Sequence, residues 1–473
     1  MKKLFPYKNK ILAGGLLIAL SAFVSCKKLI EIPANPPTNI TRQEAFADSA
    51  TAISAVAGVY SLTPSANNNG IPYFDGYFDA TTALLAHEVS YTSSYGDEAQ
   101  FYSYTLTPQN GEINALWAAP YAEIYQVNDI LANIKNNSNL SASLVKQLTA
   151  EMEVVRAFVY FYHVDLFGNV PLVTTTDYAT NAQLPQVAPS AVYARILTDL
   201  NDAEKKLPTT YPSAGHVRPN LYTAVALLAK VHLYQSNWQA AYKEADSVIR
   251  LGGFSLEPDL NNVFLDGSVE AIWQLPIENA YQGSGDATNF VPYGGTPTYL
   301  VTDSLLNKFE AGDQRKADWL GFNVDPVSGK NLYYAFKYKD KSPTSPATDF
   351  MMLRLGEMYL IRAEAAAQLD NLGQAIADIN TVRSRAGLAG TTVDATSQKA
   401  VLGAVRDERR LELCFEFGNR FFDLNRTSTD TKYPSSGQAS AVLAGWKPDF
   451  AIYPIPNAQI QLNSHLKQNQ GYH

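Results

Sequence analysis

The 473-residue chain is long enough to bury a large core, and its length alone suggests two or three domains. Its 46% hydrophobic and 17% charged residues are typical of a globular protein and argue against disorder. The 37 basic and 45 acidic residues give a net charge of −8, which argues against a nucleic-acid partner. The two cysteines, Cys26 and Cys414, lie in a leader and in a predicted helix, so they predict no disulfide framework.

The N-terminus has the pattern of a bacterial lipoprotein signal peptide. A lysine-rich start precedes an apolar run, Ile11 to Val24, that is too short for a comfortable membrane span. The run ends in Phe23-Val24-Ser25-Cys26, which looks like a lipoprotein cleavage box with Phe23 where leucine is usual. We predict that residues 1–25 are removed and that Cys26 is lipidated. The alternative is an ordinary signal peptide with an incidental cysteine.

Residues 26–40 predict a tether between the lipidated cysteine and the folded domain. Three prolines, Pro33, Pro36 and Pro37, favour an extended chain of about 3.1 Å per residue. Because no later stretch is long and apolar enough to span a bilayer, the sequence predicts a protein anchored to a membrane and not embedded in it. Residues 41–473 then form a single predicted domain.

Apolar residues at helical spacing predict a mainly α domain. Two stretches, residues 221–251 and 353–388, predict helix pairs with a tight turn, and both are rich in alanine. Such pairs are the unit of a tetratricopeptide-like α-solenoid. Because the two pairs begin about 130 residues apart, the predicted solenoid is interrupted. The other predicted helices are Ala45–Tyr60, Trp117–Ile134, Gln147–Leu166, Ala191–Leu207 and Gln398–Phe417.

Two stretches break the helical pattern. Residues 67–107 and 281–341 are rich in aromatic, Asn, Asp, Ser and Gly residues, and they predict loops with short strands. A stretch as long as the second one, without periodicity, is usually functional or disordered. Ala271–Ile277 predicts a strand, and the tail from Trp446 predicts loop.

No constellation of residues predicts catalysis, a metal site or a cofactor. None of the six histidines forms an HExxH pair, and Gly283-Ser284-Gly285 lacks the spacing of a nucleophile elbow or a dinucleotide loop. Residues 259–270 suggest a calcium loop, but Val263 and Phe264 stand where an oxygen ligand and a glycine are needed. Cys414 lies among apolar residues of a predicted helix, so we expect a core thiol.

Glu408 and Glu412 share one face of a predicted helix with apolar residues, so we expect them to be partly buried. Buried carboxylates need cationic partners. We therefore predict a scaffold network of ion pairs with arginines such as Arg383 or Arg420.

Five sequence blocks follow one another along the chain. They are EMEVVRAFVYFYHVDLFGNVPLV from Glu151, LLAKVHLYQSNWQAAYKEADSVI from Leu227, LRLGEMYLIRAEA through INTVRSRAGL from Leu353, RDERRLELCFEFGNRFFDLNR from Arg406, and IYPIPNAQIQLNSHLKQNQGY from Ile452. In these blocks and in their order, the chain resembles the SusD/RagB family of outer-membrane nutrient-binding lipoproteins across nearly the whole mature chain. It departs from the family at Gly418-Asn419, where Glu-Gly is usual, and at Gln459, where Glu is usual.

The resemblance implies a helical fold with tetratricopeptide-like pairs and a loop-rich ligand face, with ligand aromatics in the two irregular stretches. It implies a partner, a TonB-dependent transporter of the SusC type, on which the protein sits as a lid. The implied ligand is usually an oligosaccharide and occasionally a peptide. The implied location is the outer membrane, lipid-anchored and facing the cell surface, although Lys27-Lys28 stand where an acidic run often accompanies surface export.

A sugar site needs aromatic rings for the C–H faces of pyranoses and polar side chains for their hydroxyls. Both irregular stretches have that mixture. Tyr95, Tyr293 and Trp319 are our first choices as platforms, and the alternative for each aromatic residue is packing within its own loop. The candidate ligand residues are Tyr73, Tyr77, Tyr95, Tyr281, Asn289, Tyr293 and Trp319, with Asn289 as the polar partner.

The sequence thus predicts a non-catalytic, lipid-anchored glycan-binding component of a nutrient importer. One alternative is an assembly protein of the importer that binds peptides or no sugar. Another is a lipoprotein glycoside hydrolase that uses carboxylates of the 281–334 insertion.

Overall fold

The computed structural model describes residues 41–61, 76–277, 283–342 and 347–472, and this part of the chain is mainly helical. The helices are α1 Arg42–Ala45, α2 Ser49–Ser61, α3 Tyr77–Leu85, α4 Asp97–Ser103, α5 Gly111–Ile134, α6 Ala142–Phe167, α7 Tyr178–Asn181, α8 Pro189–Lys206, α9 Leu221–Tyr234, α10 Trp238–Leu251, α11 Gly285–Phe290, α12 Asp303–Leu306, α13 Gln314–Asp318, α14 Leu355–Gln368, α15 Leu372–Arg385, α16 Gln398–Glu412, α17 Asn419–Arg426, α18 Ala439–Val442 and α19 Asn457–Leu462. The strands are β1 Val89–Tyr91, β2 Val170–Pro171, β3 Gln186–Val187, β4 Ala271–Pro276, β5 Tyr299–Val301, β6 Leu320–Val324, β7 Asn331–Ala335 and β8 Asp349–Arg354.

The long helices form one continuous stack. In chain order, α5 packs on α6, α6 on α8, α8 on α9, α9 on α10, α10 on α14, and α14 on both α15 and α16. Fully buried alanines such as Ala241 and Ala363 let neighbouring backbones approach. The mainly α fold with tetratricopeptide-like pairs is confirmed. The two pairs are separated in sequence by residues 252–354, which lie outside the stack. In space the stack is uninterrupted, because α10 at the end of the first pair packs on α14 at the start of the second.

Local signals explain most helix boundaries. The side chain of Asn220 accepts from Thr223 N and that of Thr223 from Asn220 N, and this capping box starts α9 at Leu221, where the predicted helix pair begins. Helix α16 is shorter than predicted and ends at Glu412, because Phe415 and Phe417 adopt positive φ angles of 60° and 44° that cannot continue a helix.

The strands form four separate antiparallel pairs in the described chain: β1–β5, β2–β3, β4–β8 and β6–β7. The predicted strand Ala271–Ile277 is confirmed as β4, and its partner β8 occupies the first residues of the predicted helix pair 353–388. The stretches 67–107 and 281–341 contain more regular structure than predicted. Short helices α3, α4 and α11 to α13 lie in them, and these are too short for their periodicity to be visible in sequence.

A buried ion-pair network joins the insertion to the stack. Glu408 lies 2.6 Å from Arg315 and 3.6 Å from Arg383, so the predicted partner Arg383 is confirmed. The prediction that Arg420 belongs to this network is wrong, since Arg420 makes no ion pair with any described residue. Cys414 is fully buried, and burial raises the pKa of its thiol to about 12, which agrees with a core thiol.

Glu123 of α5 is a buried carboxyl that should make stability depend on pH. Burial raises the pKa of Glu123 to about 8. Between its ordinary pKa and that value, the folded chain keeps a proton that the unfolded chain releases, so the free energy of unfolding falls as pH rises. The slope of this one group is at most about 1.4 kcal/mol per pH unit. Urea unfolding from pH 5 to pH 9 is expected to show a shallower decline for Glu123→Gln than for the wild type.

The matched control for this measurement is Glu204→Gln, which changes a partly exposed glutamate of α8. It should leave the wild-type slope in place. An unchanged slope in Glu123→Gln would contradict the protonation of Glu123 in the folded chain.

Candidate ligand-binding face

The ribbon β1–β5 brings the two predicted ligand stretches together. Val89 pairs with Val301 and Tyr91 with Tyr299, although more than two hundred residues separate the strands in sequence. Beyond the ribbon, Thr92 N donates to Thr298 O at 3.0 Å. Because the strands are antiparallel, the chain that leaves β1 and the chain that enters β5 lie at the same end of the ribbon.

Helices α3 and α11 provide a second junction between the same stretches. A Cβ atom on Gly76, the residue before α3, would lie 2.2 Å from the backbone N of Asp286 in α11, so only glycine fits there. The carboxyls of Asp79 and Asp286 are both buried at this junction and interact with each other. Burial, followed by the charge of Asp286, raises the pKa of Asp79 well above its ordinary value. The pair is therefore able to share a proton across the junction.

Two tyrosines stand in solvent at this end of the ribbon. Tyr95, three residues after Thr92, is 83% exposed, and Tyr293, five residues before Thr298, is 94% exposed. Lys341 Nζ lies 3.6 Å from the centroid of the Tyr293 ring. We call residues 92–98 and 291–298 the aromatic face. Two exposed rings on neighbouring loops give this end of the ribbon a flat apolar surface on which a ligand can stack.

The hairpin β6–β7 borders the aromatic face and contributes an aromatic pair that the sequence analysis missed. Asn323 Nδ2 donates to Gly295 O at 2.6 Å, which fixes the hairpin beside the loop that carries Tyr293. On the other side of β6, Phe322 is 51% exposed and lies 5.6 Å from Tyr333 between ring centroids. The alternation of Leu320, Phe322 and Val324 is the sequence signal that would have predicted this strand.

A surface groove of about 640 Å³ runs along that side of the hairpin. Phe322 and Tyr333 form one wall, and Phe309, Lys316 and Leu320 lie along the rest. Because side chains alternate along a strand, the groove and the aromatic face lie on opposite sides of the hairpin.

Trp319, a first choice as a platform, is a wrong prediction. It is fully buried, its Nε1 donates to Leu260 O at 3.1 Å, and Lys337 Nζ lies 4.2 Å from its ring centroid. The indole is therefore part of the core beside the ion-pair network and presents no face to a ligand. Nothing in the local sequence distinguishes a buried tryptophan of this insertion from an exposed one.

The other predicted site residues have mixed positions. Tyr77 is partly buried and its hydroxyl donates to Glu98 Oε1 at 2.8 Å, so it joins α3 to α4. Asn289 donates from Nδ2 to Gly285 O of its own helix at 3.0 Å and is partly buried. Tyr73, Tyr281 and Cys26 lie outside the described residues.

The described residues hold no group of three or more His, Cys, Asp and Glu side chains placed to bind a metal ion. Ser284 accepts from Ala287 N at 2.9 Å and so caps α11. None of the helices in the described ranges has both the length and the apolarity that crossing a bilayer requires.

The fold and the face together define a helical-repeat scaffold that displays aromatic loops. Two family profiles match the chain: the SusD family over residues 309–472, and a family described as starch-binding and associating with the outer membrane over residues 39–233. The chain belongs to the SusD/RagB family, a family of glycan-binding proteins associated with the outer membrane.

Known relatives extend over nearly the whole chain. SusD-like protein P2 of Formosa agariphila is 24% identical over 511 residues, which cover 96% of this chain and 98% of that protein. A SusD superfamily protein of Bacteroides vulgatus matches with a TM-score of 0.75 at 21% identity, over 90% of this chain and 100% of its own. A structure described as a laminarin-binding SusD-like protein matches with a TM-score of 0.71 at 24% identity, again over 90% and 100%. At these identities the structural matches establish the fold.

Proposed function

We propose that this protein is a non-catalytic outer-membrane lipoprotein that binds an oligosaccharide and passes it to a TonB-dependent transporter of the SusC type. The observation that carries the proposal is the β1–β5 ribbon, which places the exposed rings of Tyr95 and Tyr293 on loops at one end. The family's association with glycans and the outer membrane supports it.

The aromatic face has the chemistry that a sugar needs. An exposed phenol ring offers a flat apolar surface to the C–H face of a pyranose. The ammonium of Lys341, close above the Tyr293 ring, can donate hydrogen bonds to sugar hydroxyls while the opposite ring face stays open. Tyr95 and Tyr293 are thus the proposed platforms, and Tyr73 and Tyr281 stay predictions.

Anchoring would follow from the N-terminus. Lipidation of Cys26 would insert acyl chains in the membrane, and residues 26–40 would hold the domain about 40 Å away if fully extended. In this arrangement the protein faces the cell surface and closes over the transporter as a lid.

Binding to glycans is expected to depend on the two exposed tyrosines. The chain without residues 1–26 should be retarded by one polysaccharide in a panel run by affinity electrophoresis. Tyr95→Ala and Tyr293→Ala should each weaken binding about tenfold, because loss of a stacked ring costs about 0.5–1.5 kcal/mol beyond its buried area. Tyr178→Ala, at a tyrosine of α7 that is 84% exposed, is the matched control and should bind as the wild type does.

The alternatives give different results in the same experiment. Retardation by no glycan, in any variant, would favour the assembly role or a peptide ligand. Release of reducing ends from the retarding glycan would favour a hydrolase. Weakened binding in Phe322→Ala alone would move the ligand from the aromatic face to the groove.

A further inference from the structure

Three buried arginines lie together beneath the β1–β5 ribbon. Arg406 and Arg410 are one turn apart on α16, and Arg420 lies on α17. Only 5 to 6% of each residue is exposed. Each of the three guanidinium groups feels the charge of at least one of the others.

These arginines have few partners. Arg420 donates no hydrogen bond to any described residue, and its Nε and Nη1 are buried. Arg410 Nη2 donates to Ser304 Oγ at 3.0 Å and Arg406 Nη1 to Pro434 O at 3.1 Å, while the Nε of each is buried and unpaired in the described chain. A guanidinium has five donors, so most of the cluster's donor capacity is unused.

Other buried arginines of this protein differ sharply. Arg354 donates to carboxylates of Glu270, Glu412 and Glu416 at 2.6 to 2.9 Å, and Arg409 donates to Asp423 at 2.7 Å. Burial of an unpaired charge is costly, and this chain elsewhere meets that cost with a carboxylate. Arg406, Arg410 and Arg420 differ because none of them forms an ion pair with a carboxylate of the described chain.

Nearby carboxylates do not balance the cluster. Glu88 faces it, but no oxygen of Glu88 comes within 4.0 Å of the three guanidinium groups in the described structure. Burial raises the pKa of Glu88 to about 7 although Arg410 and Arg420 act to lower it. Asp423 is shared between Arg409 and Arg426, and Asp407 pairs with Lys308 at 2.9 Å.

Two further groups face the cluster, and neither makes its net charge less positive. Lys337 adds positive charge on the Glu88 side, and it is held by Glu416 and by Glu412 O at 2.8 Å. The thiol of Cys414 lies near Arg410 and stays neutral, because burial raises its pKa to about 12. The site therefore holds an excess of buried positive charge.

We propose that Arg406, Arg410 and Arg420 bind a small inorganic anion. The forked donors of guanidinium groups fit an oxyanion such as sulfate or phosphate. The anion must be small because the cluster is tightly packed: a Cβ atom on Gly437 would lie 1.9 Å from Arg406 Nη2.

The position of the site gives the anion a structural role. Glu88 O accepts from Thr302 N at 2.9 Å, Glu88 Oε2 accepts from Phe415 N at 3.3 Å, and Ser304 holds Arg410. The segments before β1 and after β5 thus meet α16 and α17 at the cluster. A bound anion would stabilise the contact between the helical stack and the end of the β1–β5 ribbon that lies opposite the aromatic face.

Thermal unfolding of the chain without residues 1–26 tests the site. Sulfate, phosphate or chloride is titrated from zero to 20 mM, with sodium HEPES keeping the ionic strength constant. At least one anion is expected to raise the melting temperature along a curve that saturates at low millimolar concentration, as binding to the folded state requires. A general salting effect rises steadily without saturation.

Arg420→Met separates the anion site from a purely structural arginine. In HEPES without sulfate, phosphate or chloride it should melt at or above the wild-type temperature, because it removes an unbalanced buried charge, and the saturable rise should disappear. Arg42→Met is the control: Arg42 lies on the surface, pairs with Asp129 at 3.0 Å, and should keep the rise.

If Arg420→Met does not fold, Arg410→Gln and titration calorimetry of the wild type with sodium sulfate and sodium phosphate replace it. A crystal soaked in bromide or selenate should show an anomalous peak between the three guanidinium groups. No saturable rise, no heat and no peak would overturn the proposal. Because Tyr293→Ala should retain the anion effect, the outcome is independent of glycan binding.

Discussion

Glu412→Ala is expected to lower the free energy of unfolding by about 3–5 kcal/mol, the usual cost of removing one partner from a buried ion pair. Glu412 accepts from Arg354 at 2.6 Å and from Arg315 at 3.2 Å, and it also pairs with Arg385. Burial alone would raise the pKa of Glu412, but the charges of the three arginines outweigh it and lower the pKa far below its ordinary range. Without this carboxylate, three buried cations lose their common partner. Urea or thermal unfolding measures the loss.

Glu310→Ala is the matched control for that prediction. Its carboxylate accepts two hydrogen bonds from Arg383, at 2.7 and 3.0 Å, but the Glu310 side chain is 54% exposed. Solvent screens such a pair, so its loss should cost less than about 1 kcal/mol. Equal losses in the two variants would contradict the view that burial gives Glu412 its importance. Glu412→Gln keeps the volume and should be almost as damaging as Glu412→Ala, because the charge is still lost.

Gly76→Ala is expected to reduce both stability and glycan affinity. The new Cβ would lie 2.2 Å from Asp286 N and 2.4 Å from Gly285 C, which are backbone atoms that no rotamer change can move. Separation of α3 from α11 should cost about 1–3 kcal/mol, as overpacking usually does, in addition to the strain of a left-handed alanine at this φ of 75°. The same shift would displace the two loops of the aromatic face relative to each other. Unfolding curves and affinity electrophoresis of one preparation measure the two effects.

Gly253→Ala separates the clash from backbone strain. Gly253 has a φ of 78°, close to the 75° of Gly76, but nothing lies within 4 Å of the Cβ position. Its replacement should therefore cost only the left-handed strain, about 1–2 kcal/mol, and leave glycan affinity unchanged. If Gly76→Ala is no worse than Gly253→Ala, close contact between α3 and α11 does not hold the aromatic face in place.

The helical stack could be predicted from the sequence because its signals are local. Helix α9 begins at Leu221, the first residue of the predicted pair 221–251, and α9, α10 and α15 all begin where periodic apolar residues follow an Asn. Burial of Glu408 and Glu412 could also be predicted, since both share a helical face with apolar residues. These inferences use side chains within about two turns of each other.

The candidate site depends on contacts that no local pattern shows. Tyr91 pairs with Tyr299 although most of the helical stack lies between them in sequence. Whether a tyrosine or tryptophan of the insertion is exposed depends on residues that are also far from it in sequence. Trp319 has Leu260 O as its hydrogen-bond partner and lies among Arg354 and Arg385, whereas Tyr293 meets only Lys341 among the described cations near its ring. The composition of the sequence identified the two irregular stretches, but it could not tell that Trp319 is buried and Tyr293 is exposed.

The continuity of the stack across residues 252–354 also determines the order in which the chain can fold. Synthesis proceeds from the N-terminus, so α10 is made long before α14, its second neighbour in the stack. Until Leu355–Gln368 arrives, α10 packs on α9 and lacks its second neighbour in the stack. The N-terminal half of the stack is therefore incomplete until the C-terminal half is made, and exposed apolar surface of this kind favours aggregation.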